Sequence, residues 1–217
     1  MKVIHWNCLD IIPTIKEKFI IVTDPPFNIG YHYNEYPDIM KEDEYYEMLQ
    51  DIFSYSSSVV IHYPEALYRL SFQLWVFPEK VVSWVYNSNT AKQHRDIAFF
   101  WVKPDFTKYW QDYKNPTDKR IAKRIAEWKK ARLYDWWEIN QVKNVSKDKT
   151  SHPCQMPIEV MKRIIWILPE EYIILDPFAW SWTTWLACKE LWRDFILIER
   201  DKKYIDIINT RLAQLSF

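Results

Sequence analysis

Residues able to do chemistry fall in four short runs. The first is Asp24-Pro25-Pro26-Phe27-Asn28. Two consecutive prolines fix φ and remove two N–H donors, leaving a stiff turn with outward-facing carbonyls. It presents one carboxylate, one free backbone acceptor at Pro25 and one aromatic ring in fixed register. Those parts suit a planar base bearing an exocyclic amine: Asp24 and the Pro25 carbonyl accept its two N–H bonds while Phe27 stacks on its face. The plain alternative is a rigid turn whose aspartate caps local backbone.

The second run is Asp176-Pro177-Phe178-Ala179-Trp180-Ser181-Trp182-Thr183-Thr184, after an apolar stretch and before a helical one. With glycine at 180 and 182 it would read D-P-F-A-G-S-G-T-T, a turn that lets backbone approach a nucleotide-like ligand closely. As written it carries indoles there. Glu199 ends the next apolar stretch, 23 residues after Asp176. A carboxylate at that offset suits a ribose diol, because it accepts both hydroxyl hydrogens. A lone acid there is ordinarily a helix-start residue, and only the pairing with the preceding run lifts it. The fourth run, His152-Pro153-Cys154-Gln155-Met156-Pro157, is by itself a stiff lead into a helix.

Elements that hold such runs are legible around them. Short continuous apolar stretches at Phe19–Val22, Val59–His62, Lys80–Val85, Tyr172–Leu175 and Phe195–Ile198 predict strands buried on both faces. Helical stripes alternate with them: Tyr45, Met48, Leu49, Ile52 and Phe53; then Ile158, Met161, Ile164, Ile165 and Leu168 behind Pro157; then Tyr204, Ile208, Leu212 and Leu215 behind Asp201 as N-cap. Strand–helix alternation of this kind predicts a parallel α/β sheet, whose ligands bind beyond the carboxyl ends of the strands. Three of the four runs begin there.

One segment breaks the rhythm. The chain of 217 residues balances 29 Lys/Arg against 29 Asp/Glu, yet residues 103–149 hold 13 basic against 7 acidic side chains, leaving 16 against 22 elsewhere. The basic segment also carries Tyr109, Tyr113, Tyr134, Trp136 and Trp137, the interleaving that suits phosphate neutralisation and packing on sugars or bases. The competing reading is a solvated helix face. A helix is predicted over Asp118–Arg132. The division expected is 1–103, an inserted module at 104–150, and 151–217 completing the first domain.

Other classes are excluded. No apolar run approaches the roughly 18–20 residues of a membrane span, and the N-terminus lacks a signal-peptide layout. Three scattered cysteines, Cys8, Cys154 and Cys188, point away from a disulfide scaffold and a zinc cluster and toward a reducing cytoplasm. No metal site is expected.

In this order the four runs resemble the β-class amino-methyltransferases of DNA, which use S-adenosylmethionine: a D-P-P-[YFW] turn, a target-recognition insert, an H-P-x-Q-x-P segment and a D-P-F-x-G-x-G-T-T cofactor loop. His5-Trp6-Asn7-Cys8-Leu9-Asp10 is similar to the family's H-G-D-C-L segment. The resemblance implies a Rossmann-like, mostly parallel sheet of seven strands with one antiparallel. It implies Asp24, Pro25, Pro26 and Phe27 as catalytic residues. Cys8, Leu9, Asp176, Phe178, Trp180, Trp182, Thr183, Thr184, Glu199 and Arg200 would surround the cofactor. Lys119, Arg120, Lys123, Arg124, Lys129, Lys130 and Arg132 of the insert would meet double-stranded DNA. The target base would be flipped from the duplex. An aspartate leading the turn points to adenine N6; cytosine N4 and a non-catalytic DNA-binding relative are the alternatives. A homodimer and a cognate restriction endonuclease are partners such proteins can have.

The departures from the family pattern are concentrated. Trp6, Trp180, Trp182, Trp185 and Trp192 stand where the family has glycine, and the chain holds 1 glycine and 13 tryptophans. Average usage would give about 15 glycines. Independent mutation would not choose tryptophan at five glycine sites. The pattern is that of a codon the source reads as glycine and that is written here as tryptophan; some bacterial codes assign UGA to glycine and others to tryptophan. Trp101, Trp110, Trp128 and Trp166 are further candidates, whereas Trp84, Trp136 and Trp137 sit in apolar or aromatic contexts that suit tryptophan.

Overall fold

The computed structural model describes residues 2–31, 38–142, 155–180, 182–206 and 208. Each predicted strand is present: β2 (Phe19–Thr23), β3 (Ser58–His62), β4 (Lys80–Val85), β9 (Ile173–Asp176) and β10 (Phe195–Glu199). They join β1 (Lys2–His5), β5 (His94–Phe100) and β8 (Trp136–Glu138) in one sheet of order β1-β10-β9-β2-β3-β5-β4-β8. Pairings are parallel except where β5 runs antiparallel to β3 and β4. The mostly parallel architecture agrees with expectation. The count is eight rather than seven because β8, inside the basic segment, returns to the main sheet and pairs with β4 at Trp84↔Trp137.

Alternation along each strand divides the core in two. Ile20, Val22, Val59, Ile61, Ile97, Phe99 and Leu197 face α5 (Ile158–Trp166) and α6 (Thr183–Glu190). Phe19, Ile21, Val60, Ala98, Phe100, Ile196 and Ile198 face α1 (Cys8–Ile11), α2 (Glu42–Phe53) and α3 (Pro64–Gln73). Strands covered on both faces are the condition for the continuous apolar stretches in the sequence. The helix behind Asp201 is described over residues 202–206; most of the rest of its predicted stripe lies outside the described residues.

The basic segment folds differently from the single helix predicted over 118–132. Asp118 accepts bonds from the Arg120 and Ile121 amides and caps α4, which covers only Lys119–Ala126. The chain then reverses at Trp128 and enters β7 (Ala131–Arg132), paired with β6 (Trp110–Gln111). Charge periodicity alone overran the stop, because the residue at the reversal is not one that normally marks it.

That reversal recurs. Three helices end in the same two-bond pattern, the Schellman motif. After α3, Val76 N–H donates to Ser71 O and Trp75 N–H to Phe72 O; after α4, Lys129 to Arg124 and Trp128 to Ile125; after α6, Arg193 to Cys188 and Trp192 to Lys189. The pivot is left-handed each time, with φ of 52° at Trp75, 57° at Trp128 and 55° at Trp192. Glycine is the usual residue there, because a Cβ in that region meets the following carbonyl. Of the six non-glycine residues with positive φ among those described, five are tryptophan: these three, Trp101 and Trp182. By contrast Trp84 and Trp137 are 1% exposed and fill the core.

Candidate active site

β2 and β9 lie side by side, so their carboxyl ends bring two of the chemical runs together. The link is a hydrogen bond: Thr23 Oγ1 donates to Asp176 Oδ1 at 2.7 Å. Asp176 also accepts from Thr184 Oγ1 and from the Phe178 amide at 3.1 Å. Its carboxylate is buried and engaged in tying the two turns and the start of α6 together. Burial raises its pKa against those bonds. Thr183 is likewise committed, donating to Met156 O at 3.2 Å.

Asp24 follows Thr23 and is half-buried. Burial raises its carboxyl to about 7, opposed by the Arg95 cation and reinforced by the negative charge of Asp176. The turn beyond is held from below. Tyr45 Oη donates to Pro26 O at 2.7 Å and meets His62 Nε2 at 3.0 Å, while the Tyr63 amide donates to His62 Nδ1 at 2.7 Å. An accepting Nδ1 places the imidazole proton on Nε2, so the chain of donors runs His62 to Tyr45 to Pro26. Burial, then the Arg95 and Lys92 charges, depress the His62 pKa to about 3, so the ring is neutral. Phe27 packs between His62 and Tyr63, with ring centres at 4.5 and 5.4 Å.

The segment after Phe27 wraps around Asp38, whose carboxylate accepts from the amides of Asn28, Ile29 and Tyr31 at 2.8, 3.0 and 3.1 Å. Asn28 and Gly30 both take positive φ in this wrap, and Asn28 exchanges two hydrogen bonds with the Met40 backbone. The chain's single glycine therefore serves a turn that needs it.

Beside the Asp24–Phe27 turn lies a cavity of about 200 Å³. Of the residues expected around a cofactor, Cys8, Leu9, Phe178, Trp180, Glu199 and Arg200 line it; so do Pro26 of that turn and, from the same segments, Trp6, Asn7, Pro177, Asp201 and Tyr204. Asp176, Trp182, Thr183 and Thr184 do not line it and instead shape the loop behind. Glu199 is 6% exposed, and burial lifts its carboxyl to about 7 although the Asp201 amide donates to Oε1 at 2.7 Å. The Cys8 thiol, pushed by burial to about 12, is no nucleophile.

An acid at a strand end, an apolar slot and a ring at Phe178 fit a nucleoside-containing cofactor in chemistry. The volume is smaller than the roughly 300–1,000 Å³ of ordinary ligand pockets. The Trp6 and Trp180 side chains stand in its wall, and Trp182 begins α6 in the left-handed conformation, φ 55°. His152, Pro153, Cys154 and Ser181 lie outside the described residues. The seven basic side chains expected at DNA are all exposed. Four are partly engaged: Arg120 with Asp118, Lys129 with Glu127, Lys130 with Asp112, and Arg124 with the Tyr113 hydroxyl.

Two site residues were not singled out in the sequence. His62 carried a signal, as the last residue of a predicted strand. Arg95 carried none, since His94-Arg95-Asp96 reads as polar loop although it begins β5.

A cavity abutting an Asp-Pro-Pro-Phe turn, at the carboxyl ends of a mostly parallel sheet, is the place where such sheets bind ligands. A family model described as DNA methylase, of the N6/N4 type, matches residues 19–210. The chain belongs to that family, and is a DNA methyltransferase whose cofactor is S-adenosylmethionine. The type II methyltransferase M.HpaI of Haemophilus parainfluenzae is 27% identical over 97% of this chain and 74% of its own length. The DNA adenine methyltransferase YhdJ of Escherichia coli strain K12 is 25% identical over 97% of this chain and 82% of its own. Among solved structures, the M1.HpyAVI–SAM complex superposes with a TM-score of 0.64 at 23% identity, covering 97% of this chain and 98% of that one. The cytosine-N4-specific PvuII DNA methyltransferase gives 0.71 at 16%, covering 99% and 87%. These two likenesses bear on the fold. No helix among the described residues is long and apolar enough to cross a membrane.

Proposed function

We propose that the protein methylates the N6 amine of adenine in double-stranded DNA. The observation that carries this reading is the turn led by half-buried Asp24, followed by the Pro25 carbonyl and by a Phe27 ring packed against His62 and Tyr63. An extruded adenine stacks on Phe27 and donates its two amine hydrogens to Asp24 and to Pro25 O. Held this way, the nitrogen lone pair is free on the face turned to the cofactor cavity, which reaches Pro26. S-adenosylmethionine bound there would supply a sulfonium methyl to the nitrogen, with the thioether as leaving group, and the methylated amine would have a proton to lose. A carboxyl near 7 is suited to stabilising that developing charge and accepting the proton. Glu199 holds the ribose hydroxyls. The exposed cations of α4 and of residues 129–132 neutralise backbone phosphates, which sets register rather than sequence. The names of the relatives as type II methyltransferases favour a role in restriction-modification.

The same reading needs room where the tryptophans stand. We infer that the source places glycine at 6, 180, 182 and 192, and also at 75, 101 and 128; Trp185 is 2% exposed in the core, so glycine there rests on the family pattern alone. Backbone conformation supports this at 75, 101, 128, 182 and 192, and cavity volume supports it at 6 and 180.

Nucleoside mass spectrometry of mixed-sequence DNA tests the reaction, using S-adenosylmethionine and the full chain carrying Trp6→Gly, Trp180→Gly, Trp182→Gly, Trp185→Gly and Trp192→Gly. N6-methyladenine is expected. N4-methylcytosine would move the assignment to the other base, and no methylated base would favour a DNA-binding relative.

A further inference from the structure

Arg95 is the one site residue with no role so far. It stands on β5 at 8% exposure, with its guanidinium carbon 4.5 Å from the centre of the Phe27 ring and 5.6 Å from those of Tyr63 and Trp84. Its Nε is buried without a hydrogen-bond partner among the described residues, and it forms no salt bridge there. The guanidinium also bonds the Tyr86 side chain, and a cation held among rings with its Nε unmatched is costly to bury. A core spacer would be served better by leucine or methionine at this position. What the position gains is adjacency: the same guanidinium touches the stacking ring and sends its field to the carboxyl of the amine-binding turn.

We propose that Arg95 is a positioning residue for methyl transfer: its guanidinium backs the Phe27 ring on which the target base stacks and supplies the counter-charge of Asp24. This rests on the assignment of Asp24 and Phe27 as the amine-binding turn. The other groups facing that turn cannot substitute. Asp176 on β9 is an acid and opposes ionisation of Asp24. His62 on β3 is neutral, and Tyr45 on α2 spends its hydroxyl on Pro26 O and His62. Lys92 lies over the Tyr63 ring at 4.0 Å, and the charges that act on Asp24 are those of Arg95 and Asp176. With Arg95 removed, burial and Asp176 act on Asp24 unopposed, so its carboxyl stays protonated to higher pH and can no longer accept from the amine.

Arg95→Met and Arg95→Lys, made in the chain with the five glycine substitutions, test this by the pH profile of kcat between about 5.5 and 9 and by a carbon-13 NMR titration of the Asp24 carboxyl. Arg95→Met is expected to move the acid limb and the titration upward by about one pH unit or more, with kcat recovering at high pH. Arg95→Lys keeps the charge and loses the planar face, so the limb stays while KM for DNA rises. A uniform loss of kcat at every pH in Arg95→Met, with the carboxyl titration unmoved and the thermal midpoint retained, would overturn the proposal. Should no version methylate DNA, the reading of the turn fails, and the carboxyl titration still decides whether Arg95 is the counter-charge of Asp24.

Discussion

Burial lifts both Asp24 and Glu199 to about 7, and the two carboxyls serve different ends. For Asp24 the consequence is an opposition between activity and stability. Its folded pKa lies above the ordinary 3.8, so the native state holds a proton that the unfolded state has released between about 4 and 7. Its contribution to stability is therefore greatest at low pH and is lost as pH rises through 7, whereas accepting the amine requires the ionised form. Asp24→Asn separates the two. The substitution is expected to abolish methylation and to raise the thermal midpoint at pH 8, with the gain shrinking as pH falls to 5.5. Thermal melts at the two pH values check this, and an equal gain at both would contradict it. At this scale the sequence spoke clearly where chemistry lies in contiguous residues, as in Asp24–Phe27. It was silent on Arg95, which reaches the site only through strand pairing, and it could not show that Asp176 and Thr184 are spent on each other.

Elements end where backbone geometry lets them, and three helices here end at a left-handed tryptophan. Each such residue costs about 1–2 kcal/mol relative to a conformation without Cβ strain. Trp75, Trp128 and Trp192 are 85%, 94% and 95% exposed, so their indoles return almost nothing in burial. Trp75→Gly, Trp128→Gly and Trp192→Gly should each stabilise the fold by about 1 kcal/mol, raising the midpoint by roughly 2–4 °C apiece. Trp84→Gly, by contrast, should cost several kcal/mol, because that ring fills the core. The chemical counterpart is the peptide composition of the protein taken from its own source: glycine at these three sites supports the codon account, and tryptophan there would refute it. The predicted strands were legible because both faces of each are covered. The end of α4 was not, since its stop signal is written as the wrong residue type. β5 was hidden by the charged side chains that begin it.

For the whole molecule, the sheet sets two sites side by side. β10 and β9 deliver Glu199 and the loop after Asp176 to the proposed cofactor site, β2 delivers Asp24 to the proposed base site, and the Thr23–Asp176 bond fixes one against the other. The basic segment is anchored to the same sheet through β8, so the cations proposed to meet DNA are carried on the frame that holds the Asp24–Phe27 turn. The cavity beside Pro26 is the proposed cofactor site, narrowed by the indoles of Trp6 and Trp180. Calorimetric titration of S-adenosylmethionine into the chain as written and into its Trp6→Gly/Trp180→Gly/Trp182→Gly version decides this. The glycine version is expected to bind at least about tenfold more tightly, a difference near 1.4 kcal/mol, and adding Glu199→Gln to it is expected to remove most of that gain. Equal affinity in the two versions, or a gain indifferent to Glu199, would contradict it.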